Sequence, residues 1–116
     1  MNARAQMLQS GHWNPVCMLE DIIPGIGVCA LVNHQQVAIF LLPTGELYAI
    51  GNYCPGGQAN VLSRGILGSV NAEPVVASPL YKHRYALKTG VCVDNAALTV
   101  PSYSVRTVDG VVEVFA

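Results

Sequence analysis

The sequence predicts an all-β domain, an antiparallel sandwich or barrel of about eight to ten short strands with almost no helix. Three observations predict it. Eleven glycines and seven prolines are spread along 116 residues and cut the chain into short apolar segments. Those segments are rich in valine and isoleucine, which favour strands. Asp109-Gly110, set between Val108 and Val111, is a strong two-residue hairpin signal.

The elements follow in order. Residues 13–19 read as a first strand, with Pro15 pointing to an edge position. "EDIIPGIG" is a loop broken by Pro24, Gly25 and Gly27. Residues 28–32 are apolar and partly β-branched, and "NHQQ" turns the chain. Residues 37–42 are apolar at every position, the mark of a strand buried on both faces. "PTGE" closes a hairpin onto residues 46–50. Regular alternation then stops across residues 51–70, where glycine recurs at 51, 56, 57, 65 and 68. One helical turn is expected there, around residues 60–63. A loop of that length inside a compact domain points to function or to its remnant. Strands are expected again at 74–77, 83–87, 97–100, 104–108 and 111–115.

Composition narrows the function. The chain is 52% hydrophobic and 11% charged, against a usual charged share of ~25%. A compact β protein with an uncharged polar surface and a subunit covered by a partner both fit that balance. The net charge of −1 removes the electrostatic drive for nucleic acid. No membrane association is expected, because the longest apolar run, 37–42, falls far short of the ~20 residues of a spanning helix. "MNARAQMLQSGH" has no apolar stretch of the kind export signals carry. Residues 1–12 are therefore expected to be a flexible tail ahead of a domain at 13–116, in a cytoplasmic protein. Cys17, Cys29 and Cys92 stand in apolar contexts and read as small buried hydrophobes.

The chemistry lies in "NYCPGG" (52–57) and "SPLYKH" (78–83). A Rieske [2Fe–2S] centre binds one iron by two cysteine thiolates and the other by two histidines. Two loops supply them, as Cys-x-His and Cys-x-x-His. Here the first loop offers Cys54 but Gly56 in place of histidine. The second offers Ser78 in place of cysteine and Tyr81 in place of histidine. One thiolate cannot hold a diiron cluster, so the loop pair reads as a degenerate cluster site. His83 lies two residues past the ligand position and reads as a loop-edge histidine. Cys54 reads as incidental, with a reactive thiol if exposed.

Longer stretches carry a family resemblance: "WNPVCMLEDIIPGIGVCAL", "QVAIF", "NVLSRGILGS" (60–69), "PVVASPLYKHRYALKTGVCVD" (74–94) and "VPSYSVRTVDGVVEV" (100–114). They resemble the small subunit of assimilatory NAD(P)H-dependent nitrite reductase, a Rieske-like protein lacking the cluster. The resemblance runs from Trp13 to the C-terminus, and "VLSRG" and "VASPLYK" are its most specific blocks. It implies a Rieske-like β fold and a cytoplasmic, non-catalytic subunit in nitrate assimilation. It implies a large subunit as partner, carrying siroheme, an iron–sulfur cluster and FAD, while this chain carries no cofactor and no metal. Many members of that family have an acidic residue at the position of Cys54.

The residues themselves show no nucleophile–base pair, no carboxylate dyad and no phosphate-binding loop. What remains is docking, for which the old cluster end is the expected surface. Arg64, Lys82, His83 and Arg84 would supply charge and Tyr81 an aromatic anchor. A regulatory or scaffold module unrelated to nitrite is the alternative. A Rieske-type ferredoxin shares the fold but would need the three missing ligands.

Overall fold

In the computed structural model, which describes residues 11–80 and 82–116, alternating apolar residues form small antiparallel sheets wrapped about one central strand. Among the described residues there are twelve strands. They are β1 (Trp13–Met18), β2 (Val28–Val32), β3 (Gln35–Leu41), β4 (Leu47–Gly51), β5 (Tyr53–Cys54) and β6 (Ala59–Asn60), followed by β7 (Ile66–Val70), β8 (Glu73–Ala77), β9 (Arg84–Ala86), β10 (Ser102–Tyr103), β11 (Val105–Val108) and β12 (Val111–Phe115). Short 3-10 turns occupy Leu19–Asp21 and Leu62–Arg64.

The continuous apolar run is central because both of its faces are covered. Val37, Ala38, Ile39 and Phe40 of β3 are completely buried. Successive side chains of a strand point to opposite faces. Val37 and Ile39 accordingly join a core with Ile22, Val32, Ala49, Val112 and Val114. Ala38 and Phe40 join a second core with Cys54, Leu62, Val76, Tyr85 and Leu87. Each large side chain so buried contributes roughly 1.5–3 kcal/mol.

The strand orders are β1-β12-β11, β10-β4-β3-β2, β5-β6 and β7-β8-β9, every pairing antiparallel. β1 is an edge, as Pro15 requires, and its register slips between Pro15 and Cys17. The sheet's hydrogen bonds begin at His12, whose N–H and C=O both bond Ala116 at 2.8 and 3.0 Å. Residues 1–10 of the expected tail lie outside the described residues. The Asp109-Gly110 hairpin forms with both residues at positive φ, 51° and 79°.

Three expectations are corrected. Residues 66–70 are a strand, not loop, held by five register pairs to β8. Residues 97–100 are turn and bridge rather than strand, with Thr99 bridging Val91, and the pairing falls instead on Ser102–Tyr103 against β4. Cys29 is exposed and Cys17 half-buried, while Cys54 and Cys92 are buried. β2 is an edge strand whose outer face carries Cys29 and Leu31, so an apolar context there does not mean burial.

Asn52 ties the loop region to the sheet. Only 2% exposed, it donates through Nδ2 to Gln36 Oε1 at 3.0 Å and accepts the Ser63 N–H on Oδ1 at 2.7 Å. Its carbonyl accepts the Leu62 N–H at 3.1 Å. Asn52→Ala would strand the Ser63 donor in a largely dry site. The expected cost is about 1–2 kcal/mol in urea unfolding, and an unshifted midpoint would refute this role.

Candidate functional site

Two loops meet at one end of the molecule. The first joins β5 to β6 and turns tightly, with the Gln58 N–H on the Cys54 carbonyl at 2.6 Å and Gln58 at φ 55°. The second joins β8 to β9. It is closed by the Ser78 N–H on the His83 carbonyl at 2.8 Å and by the Leu80 N–H on Ser78 Oγ at 3.1 Å. Ser78, 1% exposed, thus shapes its own loop, a common use of serine at a turn.

The loops touch through glycine. A Cβ on Gly57 would lie 2.9 Å from Leu80 Cβ. A Cβ on Gly56 would collide with His83 Nδ1 and lie 2.8 Å from its Cε1, with Leu98 Cδ1 at 3.3 Å behind. The half-buried His83 ring therefore fills the space that a side chain at position 56 would enter. Cys54 is fully buried, and its Sγ lies 3.6 Å from the Tyr85 hydroxyl in the core. The conditional expectation of a reactive thiol at Cys54 does not apply, because that thiol is not exposed.

These residues do not fit a [2Fe–2S] cluster. Its thiolates must face the space between the loops, whereas Cys54 is engaged with Tyr85 and Ser78 with its own turn. Among the described residues no three His, Cys, Asp or Glu side chains converge as a metal site would need.

Burial, then the nearby Cys54 side chain, pushes the Tyr85 phenol far above its ordinary range. Burial also raises the Cys17 and Cys29 thiols. Arg84 donates to Asp94 through Nε at 3.1 Å and Nη2 at 2.6 Å. With the Arg84 backbone N–H added, these bonds hold the Asp94 carboxyl down at about 2. Arg84 is thus partly neutralised by its own neighbour.

The other expected docking residues are placed unequally. Lys82 is exposed and sits at φ 56° in the second loop. Arg64 is exposed just ahead of β7, whose Ile66 pairs with Ala77, so it leaves the same end of the sheet as Ser78. Tyr81 lies outside the described residues. Leu80, 38% exposed beside Gly57, was not among the expected residues. The signal for it was the glycine pair facing an apolar residue across two loops.

Residues 12–115 match the family described as Rieske-like [2Fe-2S] domain. The nitrite reductase (NADH) small subunit of Salmonella typhimurium is 43% identical over 103 residues, covering 88% of this chain and 95% of that one. The chain belongs to the nitrite reductase small-subunit family. Its members are small subunits of an NAD(P)H nitrite reductase, an oxidoreductase. The family fold is the one seen here: the NMR structure of the E. coli protein NirD superposes with a TM-score of 0.84 at 39% identity, covering 91% of this chain and 97% of that one. A further relative differs in kind. The Klebsiella oxytoca nitrite reductase [NAD(P)H] large subunit contains a stretch 39% identical over 103 residues, which spans 89% of this chain but 11% of that one.

Proposed function

We infer that this chain is the small, non-catalytic subunit of a cytoplasmic NAD(P)H-dependent nitrite reductase and works by docking on the large subunit. The observation that carries this is the Klebsiella large subunit, which includes the same module within its own longer chain. A module found both as a separate chain and as part of the larger one is expected to sit against the remainder of it. The chemistry of nitrite reduction to ammonia then belongs to the large subunit, with its siroheme, iron–sulfur cluster and FAD. The small subunit needs no cluster, in keeping with Gly56, Ser78 and the inward-turned Cys54.

Docking through the loop end is supported by the exposed Lys82, two residues from Leu80, and by the exposed Arg64 at the same end of the sheet. Arg84 contributes less charge than its sequence suggests, because Asp94 offsets it. His83, half-buried against Gly56, belongs to the same loop as Lys82.

The test begins with the isolated chain, purified without oxygen. It is expected to be colourless and free of iron. About two irons per chain, with absorbance in the visible as in ligated [2Fe–2S] centres, would overturn the cluster-free reading. The large subunit is then mixed with wild-type chain and with Lys82→Glu. Wild type is expected to bind and to be needed for full nitrite turnover. Failure to bind any siroheme-containing partner would reject the assignment and favour a scaffold module unrelated to nitrite.

A further inference from the structure

β7 ends its sheet. Among the described residues it pairs only with β8. The parity of that pairing fixes which of its peptide groups are open. Pro74 lies opposite Ser69, and the Pro74 carbonyl accepts the Leu87 N–H at 3.1 Å on the far side of β8. Ser69 and Pro74 are therefore a non-hydrogen-bonded pair. The N–H and C=O of Ser69, and of Leu67 two residues earlier, point away from the sheet.

Edge strands are ordinarily blunted by a charge, a proline or a bulge. β7 has none of these: its residues are Ile-Leu-Gly-Ser-Val, in unbroken register over all five pairs. Beside it lies a groove of about 660 Å³, with residues 65–69, Ala72 and Pro74 on one side and Leu42, Pro43, Thr44 and Glu46 on the other. That lies within the ~300–1,000 Å³ of ligand-binding clefts. Three isoleucines stand out at this margin. Ile66 is 77% exposed, and Ile23 and Ile26, which flank the groove residue Gly25, are 61% and 57% exposed. Glu46 supplies a carboxylate to the groove, fixed by the Thr44 and Tyr48 hydroxyls at 3.1 and 3.0 Å. Among the described residues it forms no ion pair of its own, and Lys88, which pairs with Glu73 at 3.1 Å, is the nearby cation that interacts with it.

We propose that the open edge of β7 takes up an extended apolar segment of the large subunit as an added strand, with a lysine or arginine of that segment set against Glu46. This rests on the subunit assignment above. Main-chain bonds from Leu67 and Ser69 give affinity, and the groove gives specificity, as in other strand-addition complexes. A second copy of this chain is a poorer occupant. Its β7 carries no basic residue of its own to set against Glu46, the nearest being Arg64 ahead of the strand, and sedimentation of the free chain distinguishes this occupant. The Klebsiella large subunit carries a stretch like this chain within one polypeptide, which favours a large-subunit segment over an unrelated partner.

Hydrogen exchange on the wild-type chain, alone and with the purified large subunit, tests this directly. The Leu67 and Ser69 amides are expected to exchange fast in the free chain and to slow by about tenfold or more in the complex. Ser69→Pro removes the outward donor without touching the β8 pairing. It is expected to weaken the Kd about tenfold or more at an unchanged unfolding midpoint, with Ile66→Lys acting in the same direction. If Ser69→Pro fails to fold, the wild-type exchange result decides. Binding of wild type with no slowing at Leu67 and Ser69 would overturn the strand-addition site and leave the subunit assignment intact. So would amides already slow in a free chain that sediments as a dimer, which would assign the edge to a second copy. No binding by wild type would overturn both.

Discussion

Tyr85→Ala is expected to lower the unfolding free energy by about 3–5 kcal/mol, the cost of removing a large side chain from a closed core. Tyr85 heads the fully buried side chains by volume. It stands opposite Val76 across β8 and β9 and packs in the core with Phe40, Leu62, Leu87 and Cys92. Its hydroxyl reaches Cys54, the residue from which the first loop departs. Truncation would therefore open a cavity where β9 and the first loop are joined. Tyr85→Phe keeps the volume and loses only the polar contact, so it should cost about 1 kcal/mol. Urea unfolding of the two variants separates these contributions. A Tyr85→Ala chain within about 1 kcal/mol of wild type would mean that this core relaxes around the gap, and that the loop end is held by other contacts. If the proposed docking surface is correct, Tyr85→Ala should also weaken association with the large subunit, because the loops proposed to dock start from the strands it fastens.

How far the sequence reveals this protein depends on the kind of signal. The β3 strand was legible because the apolar run 37–42 points to burial on both faces, which holds fully for 37–40 while Leu41 and Leu42 are half-buried. The β11–β12 hairpin was legible because Asp-Gly suits a turn with two positive φ values. The β7–β8 hairpin uses the same turn, with Asn71 and Ala72 at φ 52° and 67°. Alanine is an unusual residue in that conformation, so the turn was hidden and β7 was absorbed into an apparent loop. Glycines at 65 and 68 deepened the disguise. At Gly65 the backbone of β8 comes too close for any side chain, since a Cβ there would lie 2.5 Å from the Ala77 carbonyl oxygen. At Cys29 the local pattern was misleading for another reason, because edge and interior strands share the same residues and differ only in what covers them.

The candidate site divides in the same way. The missing ligands were visible as residue identities, since Gly56, Ser78 and Tyr81 follow from spacing alone. What fills the space was not. The His83 ring against Gly56, Leu80 against Gly57 and the Cys54 contact with Tyr85 all join residues more than twenty positions apart. Arg84 shows how sequence overstates a charged patch. Five residues of that loop region looked suited to docking, but the partner of Arg84 is Asp94, ten residues on, in a turn with no motif to announce it.

Gly56→His, which restores one ligand position, is expected to destabilise the chain by about 2–3 kcal/mol and to bring no iron. Overpacking a filled space typically costs this much. The added ring would land on His83 and Leu98, and the loops have little slack: the Gln58 N–H to Cys54 carbonyl bond is 2.6 Å and the Ser78 N–H to His83 carbonyl bond is 2.8 Å. The double variant Gly56→His with His83→Ala isolates the cause. If the two rings compete for one space, the double variant should recover about 1 kcal/mol or more relative to the sum of the single changes, the coupling expected of residues in contact. Strict additivity would mean that His83 yields freely and that something else fills the loop junction. Iron uptake by Gly56→His alone would be a deeper contradiction. It would require Cys54 to turn away from Tyr85 and out of the core, and it would place this end of the fold much nearer to a cluster site than the packing of Gly56, Leu80 and His83 allows.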